Sequence, residues 1–226
     1  MASKLGVMEI PLFPLHAVLA PGGPLPLHIF EPRYRALVAD CLAAGTPFGV
    51  VCISAGREVG AGSVSFSAIG TLAEIREVTR FPDGRYDIMT MGTTRFHVER
   101  VEGSPTPYLV GIGDVLPELL GDPARVVRLA ARVRSRFVRY LKLLQLDEEG
   151  EIAALIAPRD DPVALGHIVS GLVQVDLPRR QQLLEASTTE ERLADLDRLL
   201  ARETALLSRR LAPHALDPRL LELRRN

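Results

Sequence analysis

Hydrophobic and polar residues alternate over short stretches in the first half of the chain, and the spacing becomes helical after Leu120. Residues 9 to 15, EIPLFPL, are extended: two prolines fix φ and remove ladder donors, which predicts an edge strand. APGGP at 20 to 24 is a turn, and LPLHIF returns as a second strand. Pro32 suits the first turn of a helix carrying Tyr34, Leu37, Val38, Cys41 and Leu42 at helical spacing, with Gly45 as its stop. FGVVCIS at 48 to 54, short and rich in β-branched residues, predicts a buried strand.

The sharpest local signal is a hairpin around residues 69 to 101. At Phe81-Pro82-Asp83-Gly84 the proline presets φ, the aspartate can bond the backbone ahead, and the glycine accepts positive φ. Tyr86, Ile88 and Thr90 then alternate with Asp87, Met89 and Met91; Gly92 is expected to break that strand. Phe96 and Val98 alternate with polar neighbours, as in a sheet wet on one face. A last strand, YLVGIGDVL, ends near Pro117.

Asp122-Pro123 opens a long helix with Val126, Ala130, Val133, Phe137, Tyr140 or Leu141, and Leu144 along one stripe. Asp161-Pro162 opens a second helix and Leu177-Pro178 a third. Ser187 and Thr188, three residues before Glu190 and Glu191, form a capping-box signature for a fourth, whose stripe is Leu193, Leu196, Leu200 and Leu207. Pro213 and Pro218 mark the tail. The pattern predicts an α+β chain: a β-rich lobe with one helix over 1–120, then a helical lobe over 121–226.

Composition narrows the function. The chain has 226 residues, 47% hydrophobic and 24% charged, enough for a sizeable core without staples. A net charge of −1 argues against wholesale nucleic-acid binding. Lys4 and Lys142 are the lysines; Ser3 and Leu141 precede them, so no Gly-Lys pair exists for a P-loop, and a Ser–Lys enzyme would need one of those two. Cys41 and Cys52 stand without CxxC spacing and read as small buried hydrophobes. Prolines interrupt the N-terminal segment, and no apolar run approaches the ~20 residues of a membrane span, so a cytoplasmic protein is expected.

Five histidines, at 16, 28, 97, 167 and 214, lack metal-ligand spacing, and no metal or other cofactor is implied. Ser170, three residues after His167, reads as a small residue that permits close helix packing. Gly111-Ile112-Gly113 lies in a strand and lacks the third glycine of a dinucleotide loop. The acidic pairs Glu148/Glu149 and Asp160/Asp161 read as a solvated loop and a helix start. From Arg125 to Lys142 seven basic residues run without an acid; the expectation is a solvated face paired with acids such as Asp195, Asp197 or Glu203.

Several stretches together resemble one family. PLFPLHAVLAPGGPLPLHIFEPRYRALV followed by FGVV is similar to the opening of the Lon protease N-terminal (substrate-binding) domain. IGTLAEI, RFPDGRYDIMTMGTTRFHV and PYLVGIGDVL resemble its middle; DDPVALGHIV, LPRRQQLLE and TTEERLADLDRLL resemble its helical end. The resemblance runs from about Glu9 to Arg210. It implies a curled, barrel-like β-rich lobe plus a helical bundle, forming one Lon N-terminal-type domain. In full-length Lon that domain precedes ATPase and Ser–Lys peptidase modules, which this stretch does not contain.

The function implied is a non-catalytic protein- and peptide-binding module that holds unfolded or degron-bearing polypeptides, with self-association a further possibility. The alternative is a regulator or adaptor docking on a Lon-type protease or another partner; no nucleic acid, membrane or catalytic residue enters either reading. A small-ligand sensor, suggested by the occurrence of this fold in cereblon, has no polar pocket signature behind it. Strand addition at a sheet edge beside an apolar groove would hold an extended peptide. Leu12, Phe13, Leu27, Phe30, Tyr34, Phe81 and Met91 are the candidate walls.

Overall fold

The computed structural model describes residues 7–55, 65–103, 105–145 and 161–211. Pro213, Pro218, His214, Lys4, Glu148, Glu149 and Asp160 lie outside them. Among the described residues seven strands, β1 (Met8–Leu15), β2 (Pro24–Ile29), β3 (Phe48–Ala55), β4 (Ser65–Phe66), β5 (Ile69–Arg80), β6 (Tyr86–Glu102) and β7 (Leu109–Val115), precede four of five helices; α1 (Pro32–Ala44) lies between β2 and β3. The others are α2 (Pro123–Leu144), α3 (Pro162–Leu172), α4 (Leu177–Glu185) and α5 (Thr189–Leu211).

Five strands close into a barrel in the order β1-β7-β6-β5-β3, and β3 returns to pair with β1 in parallel. β1 is therefore a closing strand rather than the expected edge. It changes partner midway: Met8 to Leu12 lie along β7, and Leu12 to Leu15 along β3. Pro11 and Pro14 each occupy a half with a neighbour on one side alone, which is how a closing strand tolerates residues that cannot donate. The barrel interior is filled by Ile10, Leu12, Val51, Leu72, Phe96 and Val98. A second core lies under α1, where Tyr34, Leu37, Val38 and Cys41 pack on Phe13, Phe48, Ile88 and their neighbours.

β6 is continuous through Gly92, contrary to the expected break. The glycine serves a close approach. The 20–23 turn crosses β6 here, with Gly22 N–H donating to the Gly92 carbonyl at 2.8 Å and Gly92 N–H to the Gly23 carbonyl at 2.9 Å. A Cβ at Gly92 would stand 2.5 Å from the Ala20 carbonyl oxygen.

The helices start where the sequence placed them. Asp122, Asp161 and Asp176 accept from Ala124, Val163 and Arg179 N–H, each ahead of a proline in the first turn. At α5 Thr188 accepts from Glu191 N–H at 3.1 Å, and Glu191 accepts from Ser187 N–H at 3.0 Å, a capping box displaced by one residue. The stripes of α2 and α5 face each other over a third core with Leu165, Val169 and Leu183.

Candidate functional site

Beyond the barrel mouth the first half of β6 runs between β2 and the second half of β5, making a three-stranded blade. Alternation assigns its faces. Leu25, Leu27 and Ile29 pair with Thr90, Ile88 and Tyr86, and these turn toward the α1 core. Pro24, Pro26 and His28 pair with Met91, Met89 and Asp87, and these form the outer face. A hollow of about 500 Å³ lies along that face, bordered by Pro26, His28, Met89 and Thr79.

Aromatic rings gather at the far end of the blade. The His28 ring lies 6.1 Å from Phe30 and 6.3 Å from Phe81, and the Arg85 guanidinium sits 5.6 Å above Phe81. Phe30 is 55% exposed, a large apolar side chain left in water. The hairpin turn fixes Phe81: its N–H donates to the Arg85 carbonyl at 2.9 Å, Gly84 takes φ 83°, and Asp83 accepts from Arg85 N–H at 3.1 Å.

Four of the seven candidate walls thus meet at the blade: Phe30, Phe81 and Met91 at or near its outer face, and Leu27 beneath. The other three belong to the core. Leu12 points into the barrel, while Phe13, its neighbour on a strand, points the opposite way and stacks on Tyr34 with centroids 4.0 Å apart. Residues on opposite faces of β1 cannot line one groove. Strand addition also meets an obstacle at β2. The Gly23–Gly92 bond sets a register in which Leu25, Leu27 and Ile29 bond β6, so the free edge carries Pro24 and Pro26 where donors would stand. On the β2 side the face, not the edge, is the available surface.

Reading the sequence missed the seam between strands and helices. Arg95 on β6 is 2% exposed and donates from Nε to Glu118 at 2.7 Å and from Nη1 to the Leu184 and Ala186 carbonyls at 2.7 and 2.8 Å. Arg192 on α5 donates from Nε to the Leu183 carbonyl at 3.1 Å and from Nη1 to Glu118 at 3.4 Å. Buried His167 reaches Glu118 Oε1 through Nε2 at 3.1 Å. Burial opposes ionisation of Glu118, but the His167 hydrogen bond and the charges around it, including those of Arg192 and Arg95, hold the carboxyl down at about 2. Burial, seconded by Arg192, pushes His167 below its ordinary value, so the ring is neutral at pH 7 and donates Nε2–H. Desolvation and Arg95 lower Arg192 to about 10, still charged at pH 7. An arginine in a β pattern and a histidine in a helix carry no spacing that would pair them.

The other sequence-level candidates resolve structurally. Arg125 pairs with Glu190 at 2.9 Å, and Asp197 takes Arg132 at 2.6 Å and Arg136 at 3.2 Å, so much of the basic run faces acids of α5. Ser170 donates to the Gly166 carbonyl at 2.7 Å, and both cysteines are buried. Among the described residues no three of His, Cys, Asp or Glu gather as a metal site requires, and no helix is long and apolar enough to cross a membrane.

The ATP-dependent protease La (LON) substrate-binding domain family matches residues 9–202. The Lon protease of Phenylobacterium zucineum is 28% identical over 195 residues, 86% of this chain and 24% of that protein. Lon protease 1 of Thermus thermophilus is 28% identical over 201 residues, 87% of this chain and 25% of that protein. The chain therefore spans about a quarter of the curated relatives it matches. A crystal structure of a Lon N-terminal domain protein from Xanthomonas campestris aligns with a TM-score of 0.60 and 28% identity, over 86% of this chain and 98% of that one. The N-terminal domain of the Mycobacterium avium complex Lon protease shares the fold with a TM-score of 0.66 at 23% identity, over 88% of this chain and 98% of that one.

Proposed function

The chain belongs to the family of Lon protease substrate-binding domains, and from that premise we propose that it holds unfolded or degron-bearing polypeptides without acting on them chemically. The outer face of the blade carries this reading: an exposed phenylalanine stands beside a second aromatic ring and a row of methionine and proline side chains. Methionine is flexible and polarizable, so Met89 and Met91 can repack around different guests, as a receptor of varied sequences needs. The two lobes, 1–120 and 121–226, act as one unit in this reading, because the Arg95–Glu118–Arg192 seam ties them.

The test is binding of fluorescently labelled casein, an unfolded model polypeptide, followed by anisotropy. Phe30→Asp and Met91→Asp should each weaken binding about tenfold, the size expected for a central aromatic or apolar anchor. No binding by the unaltered chain at high micromolar concentration would overturn the reading. Unchanged affinity in both variants would remove the blade from it. Capture of a single stoichiometric protein partner, with no affinity for casein, would favour the adaptor role instead.

A further inference from the structure

We propose that the cleft between the two lobes receives the C-terminal end of a bound polypeptide whose last residue is apolar, its free carboxylate set against Arg180. The inference rests on the polypeptide-binding reading and adds a second, end-specific subsite to it. The cleft has a volume of about 350 Å³, within the range of ligand sites. One wall is the segment between β1 and β2, with Val18 and Leu19, continued by Leu25 of β2; the other is α3, with Ile168 and Leu172. Leu172, 40% exposed, stands at its border.

Charge selects the occupant. Arg180 on α4 also lines the cleft, and its Nη2 donates to the Val173 carbonyl at 3.0 Å. That bond uses one of five donors. Its Nε is shielded from water without a hydrogen-bond partner, and no carboxylate oxygen among the described residues stands within 4.0 Å of the Arg180 nitrogens. Behind the His167 side of the cleft, Arg95 and Arg192 share Glu118, leaving two guanidiniums against one carboxylate. His167 adds no negative charge. An apolar cleft with an unbalanced guanidinium fits a ligand that is apolar with one anionic end, since a charge-assisted pair gains strength away from water. A polypeptide presents that combination where it terminates; an internal segment offers side chains but no main-chain carboxylate.

The experiment compares ten-residue fluorescent peptides ending in Leu with a free carboxylate, in Leu amide, and in Asp, titrated with the intact protein. The free-acid Leu peptide should bind about tenfold tighter than its amide and than the Asp peptide. Arg180→Gln should erase that preference. Because Arg180 also bonds the end of α3, Ile168→Trp, which fills the cleft and leaves Arg180 in place, should lower affinity for the free acid alone. Equal affinity for acid and amide, or a preference that survives Arg180→Gln, overturns the cleft assignment while the blade still binds casein. Failure of every peptide and of casein overturns the polypeptide-binding reading itself. Displacement by dodecanoate without any preference among peptides would assign the cleft to a free amphiphile and overturn the proposal.

Discussion

The seam and the blade place charge and apolar surface in opposite ways. At the seam, two arginines and a histidine are withdrawn from water around a partly exposed glutamate; at the blade, a phenylalanine stands in it. Buried arginine is rare unless paired, and here carboxylate and main-chain carbonyls supply the pairing. Each guanidinium is held by groups from another element, so the network fixes how α4 and α5 sit on β6. The blade has no such commitments. Among the described residues nothing covers Phe30, which is 55% exposed, and a large ring kept exposed gains nothing for folding. One region uses its chemistry on itself, and the other leaves it available.

The comparison breaks first at Arg192. The side chain is fully buried and meets three acceptors: Glu118 and the carbonyls of Leu183 and Ala186. Arg192→Met should cost about 3–5 kcal/mol, because Glu118 and the carbonyls of Leu183 and Ala186 each lose a donor at a buried position. Urea denaturation measures it, and a loss below about 1 kcal/mol would mean the seam is held by apolar packing alone.

A smaller effect separates the seam from the blade by pH. His167 has a folded-state pKa below its ordinary value, so as pH falls below about 6.5 the unfolded chain takes a proton that the folded chain refuses, and stability declines. Glu118, held at about 2, contributes stability that is present above its unfolded pKa and is lost as pH falls from about 4.5 through 2. Thermal unfolding should therefore show a slope beginning near pH 6.5 that His167→Gln flattens, and a second below about 4.5 that Glu118→Gln flattens. Blade substitutions should alter neither slope. A His167→Gln protein with an unchanged profile between pH 6.5 and 5 would show that the seam does not carry this sensitivity.

Local signals in the chain were enough for most of the elements and not for their partners. Asp-Pro starts, the Phe81–Gly84 turn and the leucine stripes act within a few residues, and each appears as read. Gly92 could not be read, because its reason is a turn 70 residues earlier in the chain crossing β6. The same holds for Leu12 and Phe13: alternation says they face opposite ways, yet only barrel closure decides that both ways are inward. The seam was illegible for a related reason. Arg95 and Arg192 are ordinary polar positions in their own elements, and only packing of strands on helices turns them into a network. Phe30, by contrast, sits between a strand and a helix start, where no core face claims it, and that much could be inferred from the residues.

The smallest expected effect is also the sharpest test of the blade. Phe30 and Phe13 are the same residue type, seventeen positions apart in the chain, one exposed and one stacked under α1 on Tyr34. If burial alone sets what each contributes to folding, Phe30→Ser should change the unfolding free energy by no more than about 0.5 kcal/mol. Phe13→Ala, which opens a cavity beside Tyr34 and Phe48, should cost about 3–5 kcal/mol in the same assay. A stability loss of 2 kcal/mol or more in Phe30→Ser would show that the ring is part of the core after all, and any loss of casein binding in that variant would then follow from unfolding. Preserved stability with lost binding is the pattern that a side chain kept free for a guest must give.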